Sequence, residues 1–349
     1  MKRAAFAALL SLCCSCATTE SAEKKDGEEE ERSEKSKKPT GLFGGINMNM
    51  AEVQAQAARM STLAMAARAK ADATCSKFQL REVPWSEEQR VGTFLAVREL
   101  KAHPVFSGDK IVQHVALVGK LLARRSQRPD LPWTFGVVTN DVPDAQGLAG
   151  GYVFVTTGLL AQVKNEAELA AVLSHEIAHV AARHPVVVYS QALANQCSAS
   201  VMIADLARNG VSPGPSQQQM IQYAERFGNA DVDMLLDADR GFEAFLFDTT
   251  MSITSWNSER EYEADATGTE LMAFAGYDLT GFDTLVARLE TLPMTNKDGR
   301  TFRAGWLGNK PSTDSRLAKL KALREGELAA FSHSAAKPDL TELLAPLKK

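Results

Sequence analysis

The sequence predicts a helix-rich α+β fold, and three observations carry that reading. Long stretches free of glycine and proline repeat apolar residues at helical spacing, whereas only two short segments have strand composition. Those segments, residues 133–138 and Tyr152–Thr156, both lie between helical stretches, and Gly150, Gly151 and Gly158 frame the second. The 349 residues are 45% apolar and 23% charged, enough for one large domain or two modest ones. A mean hydropathy of -0.18 excludes a multi-span membrane protein, and a pI near 6.0 gives no general basis for binding nucleic acid.

The chain opens with Lys2 and Arg3, a short apolar run and then Cys13, Cys14, Ser15 and Cys16. A basic start, a brief apolar stretch and small residues before a cut are the pattern of a secretory leader, and the run is too short to span a bilayer. The cysteines resemble a bacterial lipoprotein processing site, with Cys16 as the lipidated residue because Ser15 is its small neighbour. An ordinary signal peptide with incidental cysteines is the alternative. Residues 20–38 hold eight acidic and six basic side chains and nothing large and apolar, so they form a solvated spacer. The expected organisation is a leader over 1–16, a charged linker over 17–45, a catalytic domain over 46–335 with its core at 85–320, and a tail over 336–349. An exported chain retains Cys75 and Cys197; a disulfide between them and two unpaired core cysteines stand equally open.

Helices are expected over 48–73, 86–101 and 109–125, the last with Ile111, Val115, Val118 and Leu122 on one face. From Leu159 onward helices dominate, interrupted at 209–219 by a Gly-, Pro-, Ser- and Gln-rich segment read as a mobile loop and candidate lid. No apolar stretch after Val186 is long enough to cross a membrane.

The chemistry concentrates in residues 165–184. Asn165 followed by Glu168 suits an N-cap with a capping box, and Pro185 turns the chain out of helix after His184. His175 and His179 are four residues apart and leave the same helix face one turn apart. Leu173, Ile177 and Val180 lie roughly opposite, and Ala171, Ala178 and Ala182 flank the histidines, leaving room for a neighbouring element. This is the H-E-x-x-H spacing of zinc peptidases: two imidazoles share one Zn²⁺, and Glu176 serves as general base for water. Such a centre needs a third protein ligand, and none of His103, His114, His184 and His333 forms a partner motif. The acidic run at 258–265 does: Glu261 and Asp265 are one helical turn apart, so one ligates while the other accepts the N–H of a ligand histidine. On spacing alone Glu263 rivals Glu261.

Taken together, His175-Glu176-x-x-His179, Arg183-His184 and Glu261-Tyr-Glu-Ala-Asp265 resemble the HtpX-like and CAAX-prenyl-protease-like zinc metallopeptidases, which are gluzincins. Within them the chain is most similar to the soluble bacterial periplasmic members and the mitochondrial inner-membrane relative. The resemblance runs roughly from Trp85 to Leu320 and includes Leu131-Pro-Trp-Thr-Phe135 and the stretch from Gly150 to Leu160. It implies a zincin-like fold with a small sheet beside the active-site helix, and one Zn²⁺ per chain on His175, His179 and Glu261. It further implies Glu176 as general base, Asp265 as the orienter of an imidazole, and the strand Tyr152, Val153, Phe154, Val155, Thr156 as the sheet edge receiving an extended substrate. His184 is read as structural, or as a hydrogen-bonding cation at a helix end, rather than as a ligand.

Two positions depart from the family pattern. Ser258 stands where arginine is common, and Asn309-Lys310-Pro311 replaces a His-Pro motif ahead of Arg316, which makes Lys310 and Arg316 candidates for transition-state contact or gating. The function implied is a zinc endopeptidase of the bacterial cell envelope, lipid-anchored and facing the periplasm from the outer membrane, acting on unfolded or misassembled proteins. The competing expectation is a periplasmic chaperone or assembly factor with structural zinc. Protein substrates and the membrane, through the lipid anchor, are the expected partners; nucleic acid is not.

Overall fold

Alanine-rich sequence without glycine or proline makes the first long helix, α1 (Met50–Cys75), and Pro84 stands at the N-cap position of the next, α2 (Trp85–Ala102). The structure, a computed structural model, describes residues 50–214, 217, 218, 221, 258–292, 311–331 and 339–347. The chain divides into the units Met1–Ala55 and Gln56–Lys349, and the features below belong to the second. Helix α3 (Asp109–Ala123) buries Ile111, Val115, Val118 and Leu122, the stripe its spacing predicts. Three strands follow: β1 (Thr134–Val138), β2 (Ala145–Leu148) and β3 (Tyr152–Thr156). Beyond them come α4 (Glu166–Ala181), α5 (His184–Arg208), α6 (Ser258–Ala275), α7 (Gly281–Thr291) and α8 (Thr313–Glu325). This is the helix-rich α+β architecture with a small sheet.

The sheet order is β1-β3-β2, with β1 parallel and β2 antiparallel to β3. Val153 pairs with Phe135 on one side and Gly147 on the other. Tyr152–Thr156 is therefore the central strand and not the sheet edge that its resemblance implied. Its run of Val153, Phe154 and Val155 is buried, as a strand paired on both sides should be. β1 and β2 form the two edges, and the sequence of β2, Ala-Gln-Gly-Leu, carries no β-branched residue and gives no strand signal. The connection between β2 and β3 turns through Gly150 and Gly151 at φ +79° and +98°, a conformation that side chains with a Cβ rarely adopt.

Two apolar clusters hold these elements. The larger joins α3, the sheet, α4, α6 and α7, and takes in Leu320 of α8. Leu340 and Leu344 belong to it too, and Leu340 N–H donates to Lys164 O at 3.1 Å. The C-terminal stretch is thus a packed part of the domain where the sequence suggested a tail. The second cluster joins Ala71 and Cys75 of α1, Val91 of α2, and Tyr189, Leu193 and Cys197 of α5. Cys75 and Cys197 are bonded there as a disulfide, with Cα atoms 5.7 Å apart. Helix α5 ends at Arg208; residues 211–214 of the expected loop have no regular structure, and 215, 216 and 219 lie outside the described residues. Among the described residues no helix is long and apolar enough to cross a membrane.

One ion pair pins the start of α4. Buried Glu168 receives Arg288 Nη2 at 2.7 Å and Nη1 at 2.9 Å, and also accepts from Thr284 and the Lys164 N–H. Burial pushes its carboxyl up, but Arg288 and these hydrogen bonds outweigh that and hold it below the ordinary value of 4.5. The stabilisation is therefore complete above 4.5 and is lost as pH falls through the lower folded value. Arg288→Leu is expected to destabilise the fold by about 3 kcal/mol at neutral pH. Urea titrations at stepped pH should show that deficit shrinking once Glu168 protonates; a deficit independent of pH would contradict the assignment.

Candidate metal centre

Asn165 Oδ1 accepts the Glu168 N–H at 3.0 Å and caps α4, while Glu168 reaches back to Lys164 N–H and not to Asn165, so only half of the expected capping box forms. From Ala167 to Ala181 every residue of α4 is buried. The helix is covered all round, and the histidine side, which its flanking alanines leave open to close approach, receives another element. On the histidine side α6 approaches closely at Gly268, where a Cβ would lie 3.0 Å from His175 N. On the sheet side β2 crosses at Gly147, where a Cβ would meet Glu176 O at 2.6 Å and Val180 Cγ2 at 2.8 Å. That closeness lets the Gly147 N–H donate to Glu176 Oε2 at 2.7 Å.

His175 and His179 turn their Nε2 atoms to within 3.1 Å of one another. From α6, Glu261 places Oε2 at 3.5 Å from His175 Nε2 and Oε1 at 3.5 Å from His179 Nε2. His175, His179 and Glu261 form the one grouping of metal-ligand type among the described residues, and all three are buried. Glu263 is not part of this grouping: its side chain is 57% exposed and lies on His184.

Hydrogen bonding assigns the protons. Asp265 Oδ1 lies 2.9 Å from His175 Nδ1, and His184 Nδ1 lies 2.9 Å from His179 Nδ1. With protons on both Nδ1 atoms, the arrangement a metal would require, each Nε2 presents a lone pair, and two imidazoles and a carboxylate converge. Such a triangle is repulsive by itself and attractive around a cation. A tetrahedral ion with bonds of about 2.0–2.1 Å has ligand–ligand edges of roughly 3.3–3.4 Å. The Nε2–Nε2 separation of 3.1 Å and the 3.5 Å approach of one Glu261 oxygen to each imidazole lie close to that value, so the residues fit a divalent metal.

Asp265 is in turn gripped by Arg316 of α8, with Nε donating at 2.7 Å and Nη2 at 2.6 Å. Burial pushes the Asp265 carboxyl up, but Arg316 and His175 outweigh it and hold it below its ordinary value. Burial likewise lowers Arg316, yet Asp265 and Glu261 keep it raised. Arg316, which the sequence offers for transition-state contact or gating, is 1% exposed and lies 3.9 Å from Glu261. Lys310 and Cys16 lie outside the described residues. The histidine helix ends at Ala181, and His184 opens α5 with Pro185 in its first turn, where the sequence expected Pro185 to end the helix after His184; His184 Nδ1 lies against His179 Nδ1. Burial holds its pKa below the usual histidine value against the opposing pull of Glu263. Sequence reading missed the Gly147 contact and the partner of His184. The short spacing from His179 to His184 across a helix end was the available signal for the second.

The family model of peptidase family M48 matches residues 112–324. Among curated proteins, the mitochondrial metalloendopeptidase OMA1 of Schizosaccharomyces pombe is 29% identical over 209 residues, covering 60% of this chain and 51% of that protein. The β-barrel assembly-enhancing protease of Yersinia pestis is 26% identical over 204 residues, covering 58% of this chain and 37% of its own length. The protease HtpX homolog of Campylobacter concisus is 25% identical over 225 residues, covering 59% and 74%. The chain thus spans about half of the first of these relatives and less of the second.

Replacing Arg316 by methionine leaves Asp265 buried without its cation and is expected to lower stability by about 3–5 kcal/mol. Adding Asp265→Asn should recover part of that loss in a double-mutant cycle read by urea unfolding; strict additivity would contradict the pairing.

Proposed function

The chain belongs to peptidase family M48, and on that premise we propose that it is a zinc endopeptidase centred on His175, His179 and Glu261. The observation that carries the proposal is the convergence of those three acceptors beside Glu176, on a helix braced at both histidines. Two imidazoles and one carboxylate are a donor set suited to catalytic Zn²⁺. When bound, the ion supplies Lewis acidity, which makes water a nucleophile near neutral pH and polarises an amide carbonyl. Glu176 takes the proton from the attacking water and hands it to the leaving amine. The Gly147 N–H on Oε2 fixes the plane of that carboxylate.

We assign substrate alignment to the outer edge of β2. Asp144 O accepts from Thr156 N, so by alternation Ala145 and Gly147 turn their peptide groups away from β3. A peptide added there in extended form takes over the Ala145 and Gly147 N–H groups from the Asp144 and Glu176 carboxylates and passes beside Glu176 without any demand on its side chains. His175, His179, Glu176 and Glu261 are at most 4% exposed, and Ala145, Gly147 and Leu148 are buried. A substrate therefore reaches the centre only when neighbouring chain moves.

Unfolded or misassembled envelope proteins are the proposed substrates, supported by relatives named for mitochondrial proteolysis and for β-barrel assembly. We place the protein in a bacterial envelope, tethered through Cys16 and residues 17–45, with the peptidase domain from residue 46 onward. The Cys75–Cys197 disulfide supports an oxidising compartment. Glu176→Gln should reduce cleavage of unfolded casein by about 10²–10⁴-fold while leaving fold and bound metal intact. A chelator should abolish wild-type cleavage and added Zn²⁺ restore it. Undiminished turnover in Glu176→Gln would refute the assignment.

A further inference from the structure

The two histidine ligands are supported in unlike ways. His175 leans on Asp265, whose carboxylate is buried and gripped by Arg316 within the main core. His179 leans on His184, which belongs to the next helix and lies beyond a corner in the chain. At that corner Arg183 adopts φ +61°, a left-handed conformation uncommon outside glycine. Arg183 stays there because its guanidinium donates to Val83 O and lies 3.1 Å from buried Glu88 of α2. The corner turns His184 back onto α4, with ring centroids of His179 and His184 5.0 Å apart.

We propose that His184 and Glu263 are positioning residues that hold His179 in the tautomer and orientation needed to keep the metal, an inference that rests on the proposed metal centre. An Nδ1–Nδ1 contact of 2.9 Å requires one donor and one acceptor. At the proposed metal centre His179 Nε2, 3.1 Å from His175 Nε2 and 3.5 Å from Glu261 Oε1, gives its lone pair to the ion, so Nδ1 bears the proton. His184 must then accept at Nδ1 and carry its own proton on Nε2. That proton points to Glu263 Oε2 at 3.2 Å. One arrangement of protons satisfies the whole chain, from ligand to surface carboxylate. Because Glu263 is 57% exposed, its hold is weaker than that of the buried Asp265–Arg316 pair. A histidine outside the ligand set thereby connects the metal centre to the α2–α5 layer.

The test measures Zn²⁺ affinity of the purified full chain by competition with a chromophoric chelator, alongside the melting temperature of the metal-free protein and the visible spectrum of its Co²⁺ form. His184→Ala should weaken Zn²⁺ binding by about 10–100-fold and alter the Co²⁺ spectrum. His184→Gln should recover most of the affinity, because its amide oxygen can accept from His179 while its NH₂ group reaches Glu263. Glu263→Leu, on the surface, should weaken binding less than His184→Ala and leave the metal-free melting temperature unchanged. Wild-type affinity in His184→Ala would overturn the inference while leaving the metal centre standing. Equal losses in His184→Ala and His184→Gln that follow the metal-free melting temperature would also overturn it, assigning His184 to packing. Failure of the wild type to bind Zn²⁺ would remove the metal centre and this inference together.

Discussion

Three electron-pair donors facing one another inside a protein are the constraint on which the rest of this structure depends. His175, His179 and Glu261 converge in a space with almost no exposure to water, where a cation shared by two imidazole lone pairs and a carboxylate would offset the cost of burying them. The surrounding chain must hold them there. It does so by giving each imidazole a partner at Nδ1, leaving Nε2 as acceptor, and by setting a buried arginine near the carboxylate. Asp265 serves one side of this arrangement and His184 the other.

The helices contribute by closeness more than by bulk. Alanines along α4, Gly268 on α6 and Gly147 on β2 let three elements approach at the height of the histidines. Side chains of ordinary size there would separate α6 from α4 and carry Glu261 away from the imidazoles. Packing of this density also makes α4 a poor place for small adjustments, since a buried helix transmits strain to everything it touches. The precision of the site is thus a property of the core as a whole.

Around this centre lies a second layer of α1, α2 and α5, held by its own apolar cluster, the Cys75–Cys197 disulfide and buried glutamates. Glu87 meets Arg81 and the Tyr189 hydroxyl; Glu88 meets Arg128 and Arg183. Carboxylates buried in this way stay only because each has an arginine. The layer touches the metal centre at the corner that delivers His184, so the stability of an outer helix pair and the order of a metal ligand are connected through a single turn of chain.

Much of this was legible in the amino-acid order because it depends on local geometry. Helical spacing puts His175 and His179 on one face, Asn165 marks where that helix begins, and the period of Ile111, Val115, Val118 and Leu122 identifies the buried side of α3. Glu261 and Asp265 were recognisable as a pair for the same reason, although choosing Glu261 over Glu263 needed the family resemblance. What stayed hidden depends on contacts between distant parts of the chain. The strand β2 is too short and too weakly β-forming to announce itself, so nothing in the sequence opposes the edge role that the resemblance implies for Tyr152–Thr156, which its neighbours make central. Arg316 could not be assigned to Asp265, nor Cys75 to Cys197, because no spacing rule relates residues brought together only by packing. Periodicity along a helix is a property of the chain itself; the partners that hold a buried charge or a ligand proton are selected only when the core closes.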